Sequence, residues 1–113
     1  MLTESRANET VIYKIEPSVV AEVCQATLQN LGRVTQVSRE TGMIAGKMSV
    51  NIFANPVFVN LRISRHAEGA ELHIQTQRKE GLVTGGGAQK GLAEFLAALG
   101  RDPRLAQATT GGW

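Results

Sequence analysis

Few residues in this chain have the chemistry to react. Cys24 is the single cysteine, and His66 and His73 are the two histidines. A thiol becomes a nucleophile as an exposed thiolate in an electropositive setting. Cys24 instead falls on an apolar stripe with Val20, Val23, Thr27 and Leu31, which predicts a buried, inert thiol. A lone cysteine also excludes an internal disulfide and a thiolate zinc cluster. His66 falls in a predicted turn and His73 on a predicted strand, and no third ligand accompanies them. No metal and no cofactor are therefore expected. The spacings build no Ser-His-Asp arrangement and no facing carboxylate pair, so the chain is not read as an enzyme.

Two groups of polar residues remain. Gly85, Gly86 and Gly87 precede a predicted helix whose first turn carries Lys90, a possible anion site made of backbone N–H groups and a helix N-terminus. The run lacks the Gly-Lys-Ser/Thr of a P-loop and the βαβ setting of a dinucleotide fingerprint. A plain joint between strand and helix is the competing reading. The second group is Phe58, Asn60, Arg62, His73, Gln75 and Gln77, with Lys47 beside them. On one sheet face these residues would make a polar platform for a ligand or partner, and Phe58 is its obvious aromatic. A solvated face or a homodimer interface would use the same residues. Phe53, next to Ile52, would be an apolar lip if exposed and core if folded over the sheet edge. Trp113 follows Gly111 and Gly112 and is read as part of a loose tail.

The elements that must carry these residues are organised around Val57 to Arg78. Val57, Val59, Leu61 and Ile63 are apolar at every second position, as are Ala70, Leu72 and Ile74. Period two places each set on one face of a pleated strand. Gly69 closes the short connection from His66. Pairing Arg65 with Ala70 sets Ile63 against Leu72, Leu61 against Ile74, Arg62 against His73 and Asn60 against Gln75. One face is then apolar and the other polar, as in an antiparallel sheet wetted on one side.

Around this hairpin, Val11, Tyr13 and Ile15 predict a first strand. Pro17 suits the first turn of a helix that runs to Leu31, with Gly32 as its stop. Val34 to Arg39 is a second strand whose two valines are out of phase, as a bulge would make them. Glu40-Thr41-Gly42 is a turn, and Ile44, Gly46, Met48 and Val50 mark a third strand. Leu92, Phe95, Leu96 and Leu99 give a second helix from about Ala88 to Leu99. The fold class is α+β, in the order β-α-β-β-β-β-α: an antiparallel five-stranded sheet with both helices on one face. The expected divisions are a disordered N-terminus over 1–9, one domain over 10–100 and a flexible tail over 101–113. A length of 113 residues suits one core without staples. No apolar run approaches a membrane span and MLTESRANET has no apolar signal region, so the expectation is a soluble cytoplasmic protein. The net charge is +2, and the basic residues are scattered along the sequence, which by itself hardly favours nucleic acid.

Over about residues 10–99 this element order resembles one repeat of the TATA-box-binding-protein-like fold. It is similar also to the helix-grip group and to several small uncharacterised bacterial domains. The resemblance implies either a sheet face that meets DNA or an apolar ligand held between sheet and helix. The DNA-binding version drives apolar wedges from its concave face. The matching positions here are Asn60, Arg62, His73 and Gln75, which departs from that pattern. The leading expectation is a non-enzymatic binding or interaction module, homo-oligomeric through its sheet face or edge. The alternatives are a helix-grip carrier of small molecules or lipids, and nucleic-acid binding through Lys47, Arg62, Arg78 and Lys79.

Overall fold

Strict alternation from Val57 builds the centre of the sheet. The structure, a computed structural model, describes residues 3–49, 56–81 and 86–106. Strand β4 (Val57–His66) runs antiparallel to β5 (Gly69–Gly81) with Ile63 opposite Leu72, Leu61 opposite Ile74 and Arg62 opposite His73, the register the apolar alternation requires. The pairing continues to His66 opposite Gly69, so the loop is shorter than expected. Gly69 takes φ 146°, and His66 Nδ1 accepts the Glu68 N–H at 3.1 Å. On the other side of β4 lies β3 (Met43–Met48), followed by the edge strand β2 (Gly32–Ser38). The β2–β3 register shifts between Val34 and Gln36, so Thr35 is the extra residue that reconciles the two valines. Gly42, at φ 71°, makes the turn between them, and its carbonyl accepts the Ile63 N–H at 2.8 Å.

The first strand starts earlier than expected. Strand β1 spans Thr3–Tyr13 and pairs antiparallel with β5 along its length, giving the order β1-β5-β4-β3-β2. Residues 3–9, expected to be disordered, are thus the larger part of an edge strand. They escape a hydrophobic-pattern reading because little of them is apolar: Ala7 is buried, Ser5 half-buried, and Arg6, Asn8 and Glu9 exposed.

Helix α1 (Pro17–Leu31) starts with proline at its first position and buries Val20, Val23, Cys24, Thr27 and Leu28. Leu28, rather than Leu31, completes its inner stripe; Leu31 is half-buried. Gly32 ends the helix, but with φ −174° it is extended and opens β2 directly, where a left-handed stop was expected. Its need for glycine is steric, since a Cβ there would overlap the Lys47 carbonyl. Helix α2 (Gly87–Gly100) buries Gly87, Ala88, Gly91, Phe95 and Leu99. It lies close to the sheet at Gly91, where a Cβ would come within 2.8 Å of Val57 Cγ1.

Both helices cover the same face. Phe95, Leu99, Leu28, Val20 and Val23 meet Val57, Val59, Leu61, Leu72 and Ile74 in one cluster, with Ile15, Leu92 and Leu96 half-buried at its rim. A short helix α3 (Pro103–Ala106) adds Leu105, which is 1% exposed. The segment expected to be a flexible tail therefore contributes core at least to Leu105, and Asp102 Oδ1 accepts the Arg104 N–H at 2.9 Å to start the turn. Val50, Ile52, Phe53, Gly85 and Trp113 lie outside the described residues. Among those described, no helix is long and apolar enough to cross a membrane.

Candidate functional site

Among the described residues no helix covers the face of the sheet away from α1 and α2, and the strand registers arrange it in rows. One row runs Arg6, Gln77, Phe58, Lys47, Arg33 across β1, β5, β4, β3 and β2. The next is Asn8, Gln75, Asn60, Ala45, Gln36. The third is Thr10, His73, Arg62, Met43, Ser38. With strands about 4.8 Å apart, a row of five is roughly 19 Å wide, and adjacent rows lie about 7 Å apart. Seven expected platform residues, Lys47, Phe58, Asn60, Arg62, His73, Gln75 and Gln77, come together here, and Phe53 falls outside the described residues.

Each row has its own character. The second holds four side-chain amides, each with two donors and an acceptor oxygen. The third carries a hydrogen bond between Thr10 Oγ1 and His73 Nδ1 at 2.9 Å, which fixes the imidazole against β1. The first exposes Phe58 between Lys47 and Gln77, with Arg33 beyond the lysine. Phe58 is 44% exposed and Met43 39%, and the third exposed large apolar residue of the described set, Val37, is at the β2 edge. Arg6 Nε donates to Glu4 Oε1 at 2.9 Å.

The rows also sort charge. Arg6, Arg33, Lys47, Arg62 and Lys79 stand on this face, with Glu4 and Glu71 the acidic residues among the described side chains. That is a surplus of three positive charges, against +2 for the whole chain. The remaining seven basic and eight acidic residues sum to one negative charge. Basic residues scattered in sequence are thus gathered by strand parity. Arg78 goes to the helix side, sharing parity with Thr76. Arg6, Asn8, Arg33 and Gln36 were missed as members of the face. For Arg6 and Asn8 the available signal was the length of β5, which runs to Gly81 and needs a partner strand of matching length.

The glycine-run site is differently placed. Gly86 is the residue before α2, and Gly87 and Lys90 lie in its first turn; Gly85 lies outside the described residues. The Ala88 N–H already donates to Ser5 Oγ at 3.0 Å, and the Ala88 carbonyl accepts from buried Thr76 Oγ1 at 2.7 Å. These bonds tie the helix start to β1 and β5. The Cys24 thiol is fully buried, and burial pushes it up to about 12. No cluster of three metal-ligating side chains occurs among the described residues. An open groove of about 500 Å³ runs between α1 and the β2–β3 turn, lined by Ala21, Val37 and Ile44 among others.

The fold has solved relatives. It is similar to the X-ray structure of protein CV1439 from Chromobacterium violaceum, with TM-score 0.51 and 10% identity over 88% of this chain and 97% of that one. It is similar also to the crystal structure of Mll3558 from Rhizobium loti, with TM-score 0.50 and 14% identity over 88% and 96%. At these identities the likeness is one of fold: a small bacterial α+β architecture. No protein-family model matches the chain. No curated protein matches it either.

Proposed function

We propose that this chain is a non-enzymatic binding module whose working surface is the open sheet face, and that it selects anionic partners. The observation that carries this reading is the sorting of charge. One sheet face holds the whole positive surplus of the molecule and, with it, the exposed ring of Phe58. A face of one sign steers and holds partners of the other. Lys47, Arg62 and Arg33 supply charge, Asn60, Gln75 and Gln77 supply hydrogen bonds, and Phe58 supplies apolar contact. A helix-grip carrier would need an enclosed space between sheet and helices. Phe95, Leu28 and Leu99 fill the centre of that layer in the described residues, and the space left on that side is the open groove at its edge, lined by Ala21, Val37 and Ile44.

Amide chemical-shift mapping at low salt tests the reading, with polyglutamate and an oligothymidylate as two unrelated polyanions. At least one should bind and shift Lys47, Phe58, Arg62 and Gln75 while leaving α1 and α2 unmoved. Silence with both polymers, or shifts centred on the helices, would overturn it.

A second reading concerns self-association. The like charges of the open face oppose stacking two copies face to face. Strand β1 is an edge paired on one side, with unbroken register from Glu4 to Tyr13, whereas the β2 edge is interrupted at Thr35. Such an edge is a template for a second copy. We propose that any homo-oligomer forms by β1 meeting β1 of its partner, which leaves both open faces available.

A further inference from the structure

Resting on the reading of the open face as an anion-selective platform, we infer that its partner is a single-stranded nucleic acid. Two features of the face converge on that chemistry. The row through Phe58 places an exposed aromatic ring beside Lys47, with Arg33 on the next strand. An aromatic flanked by cations is the arrangement that holds an unpaired base on the ring while the charges hold its phosphates. The neighbouring row presents Asn8, Gln75, Asn60 and Gln36, all exposed. Side-chain amides offer donor and acceptor together, which suits the mixed edges of bases. An acidic peptide such as polyglutamate has carboxylates for the cations and backbone groups for the amides, but no π-face to lie on the exposed ring.

Shape decides between single strand and duplex. The face is five strands and roughly 19 Å wide, whereas the major groove of B-form DNA is about 12 Å across. A five-stranded face cannot enter it, and sheet faces that bind duplex through the minor groove use apolar wedges where this face carries Asn60, Arg62, His73 and Gln75. A single strand lies across the rows with its bases free. Each base has a π-face, so the stacking contact tolerates any sequence. The surface is modest: Lys47, Arg33 and Arg62 form the phosphate track, since Arg6 is engaged with Glu4. Binding is therefore weak and strongly salt-dependent.

Fluorescence anisotropy with labelled oligothymidylate tests the inference, with a duplex of equal length and polyglutamate as comparisons. For three phosphate contacts the slope of log affinity against log salt is expected near −2, from about −0.7 for each contact on a single strand. Lys47→Ala should make the slope shallower by about 0.7. Phe58→Ala should weaken oligothymidylate by about tenfold, the size of one lost base stack, and leave polyglutamate unchanged. Phe58→Leu, which keeps apolar bulk without the ring, should weaken it likewise and guards against a folding effect. Equal affinity for polyglutamate and oligothymidylate, with no response to Phe58→Leu, would overturn the single-strand inference and leave the anion-selective face standing. Preference for the duplex would overturn it too. Binding of none of the three polymers would overturn both.

Discussion

The Cys24 thiol and the Tyr13 hydroxyl are acids that the folded chain keeps protonated. Burial raises Cys24 from 9.0 to about 12. Tyr13 rises from 10.0 to about 12, through burial first and the neighbouring Cys24 charge second. In the unfolded chain both protons leave at lower pH, so above about pH 9 the native state binds more protons than the unfolded one. Their contribution to stability is full below the unfolded values and is lost as pH rises towards the folded ones. Urea midpoints are expected to hold to about pH 9 and then fall. Cys24→Ala should lower the midpoint at neutral pH, by leaving a cavity, and make the alkaline fall shallower. A profile that stays flat to about pH 11 would contradict the buried, neutral assignment of both groups.

At the scale of elements, the start of α2 is held by two side chains from two strands. Thr76 Oγ1 donates to the Ala88 carbonyl at 2.7 Å, and Ser5 Oγ accepts the Ala88 N–H at 3.0 Å. Thr76→Val keeps the shape and removes one buried hydrogen bond to a carbonyl that the helix ladder still satisfies, so it should cost about 0.5–1.5 kcal/mol in denaturant unfolding. Ser5→Ala, at a half-buried site, should cost less. The pair should be non-additive, because both act on one residue. A neutral Thr76→Val would mean that the Thr76 hydroxyl does not hold the helix start. The same elements show what the sequence made legible. The β4–β5 register follows from strict alternation with a short connection, because a slip of one residue would turn every apolar side chain to water. Helix α1 follows from its proline and its stripe. The first half of β1 does not, because Ser5 and Ala7 face the helix with small side chains and the rest is polar. Leu105 is hidden behind Pro103, and its burial depends on where α2 points.

For the whole molecule, the open face depended on information that no local pattern holds. Lys47, Phe58 and Arg62 announce their face by alternation, but Arg6 and Arg33 join it only through the order in which strands meet. Their sequence separation from Phe58 is long, and the charge looks dispersed until the sheet is assembled. The proposed pairing of copies through β1 belongs to this scale. Sedimentation equilibrium should find a dimer that persists in Phe58→Ala, whose change lies on the open face. A strict monomer at high protein concentration would remove that proposal, and a dimer abolished by Phe58→Ala would move the interface to the open face. The sheet order has one more consequence, in time rather than space. Strands β2 to β5 form a meander of neighbours, but β1 waits for β5: Tyr13 meets Ala70 and Thr3 meets Gly81. At about 5–20 residues per second of synthesis, roughly 3–15 s pass between the two strands leaving the ribosome. Strands β2 to β4 can gather around α1 in that interval, while β1 remains a bare ribbon whose closure carries the largest loop entropy in the molecule. Closure of β1 and docking of α2 then form one late event, joined at Ala88, and a nascent chain halted before β5 would display β1 to any chaperone within reach.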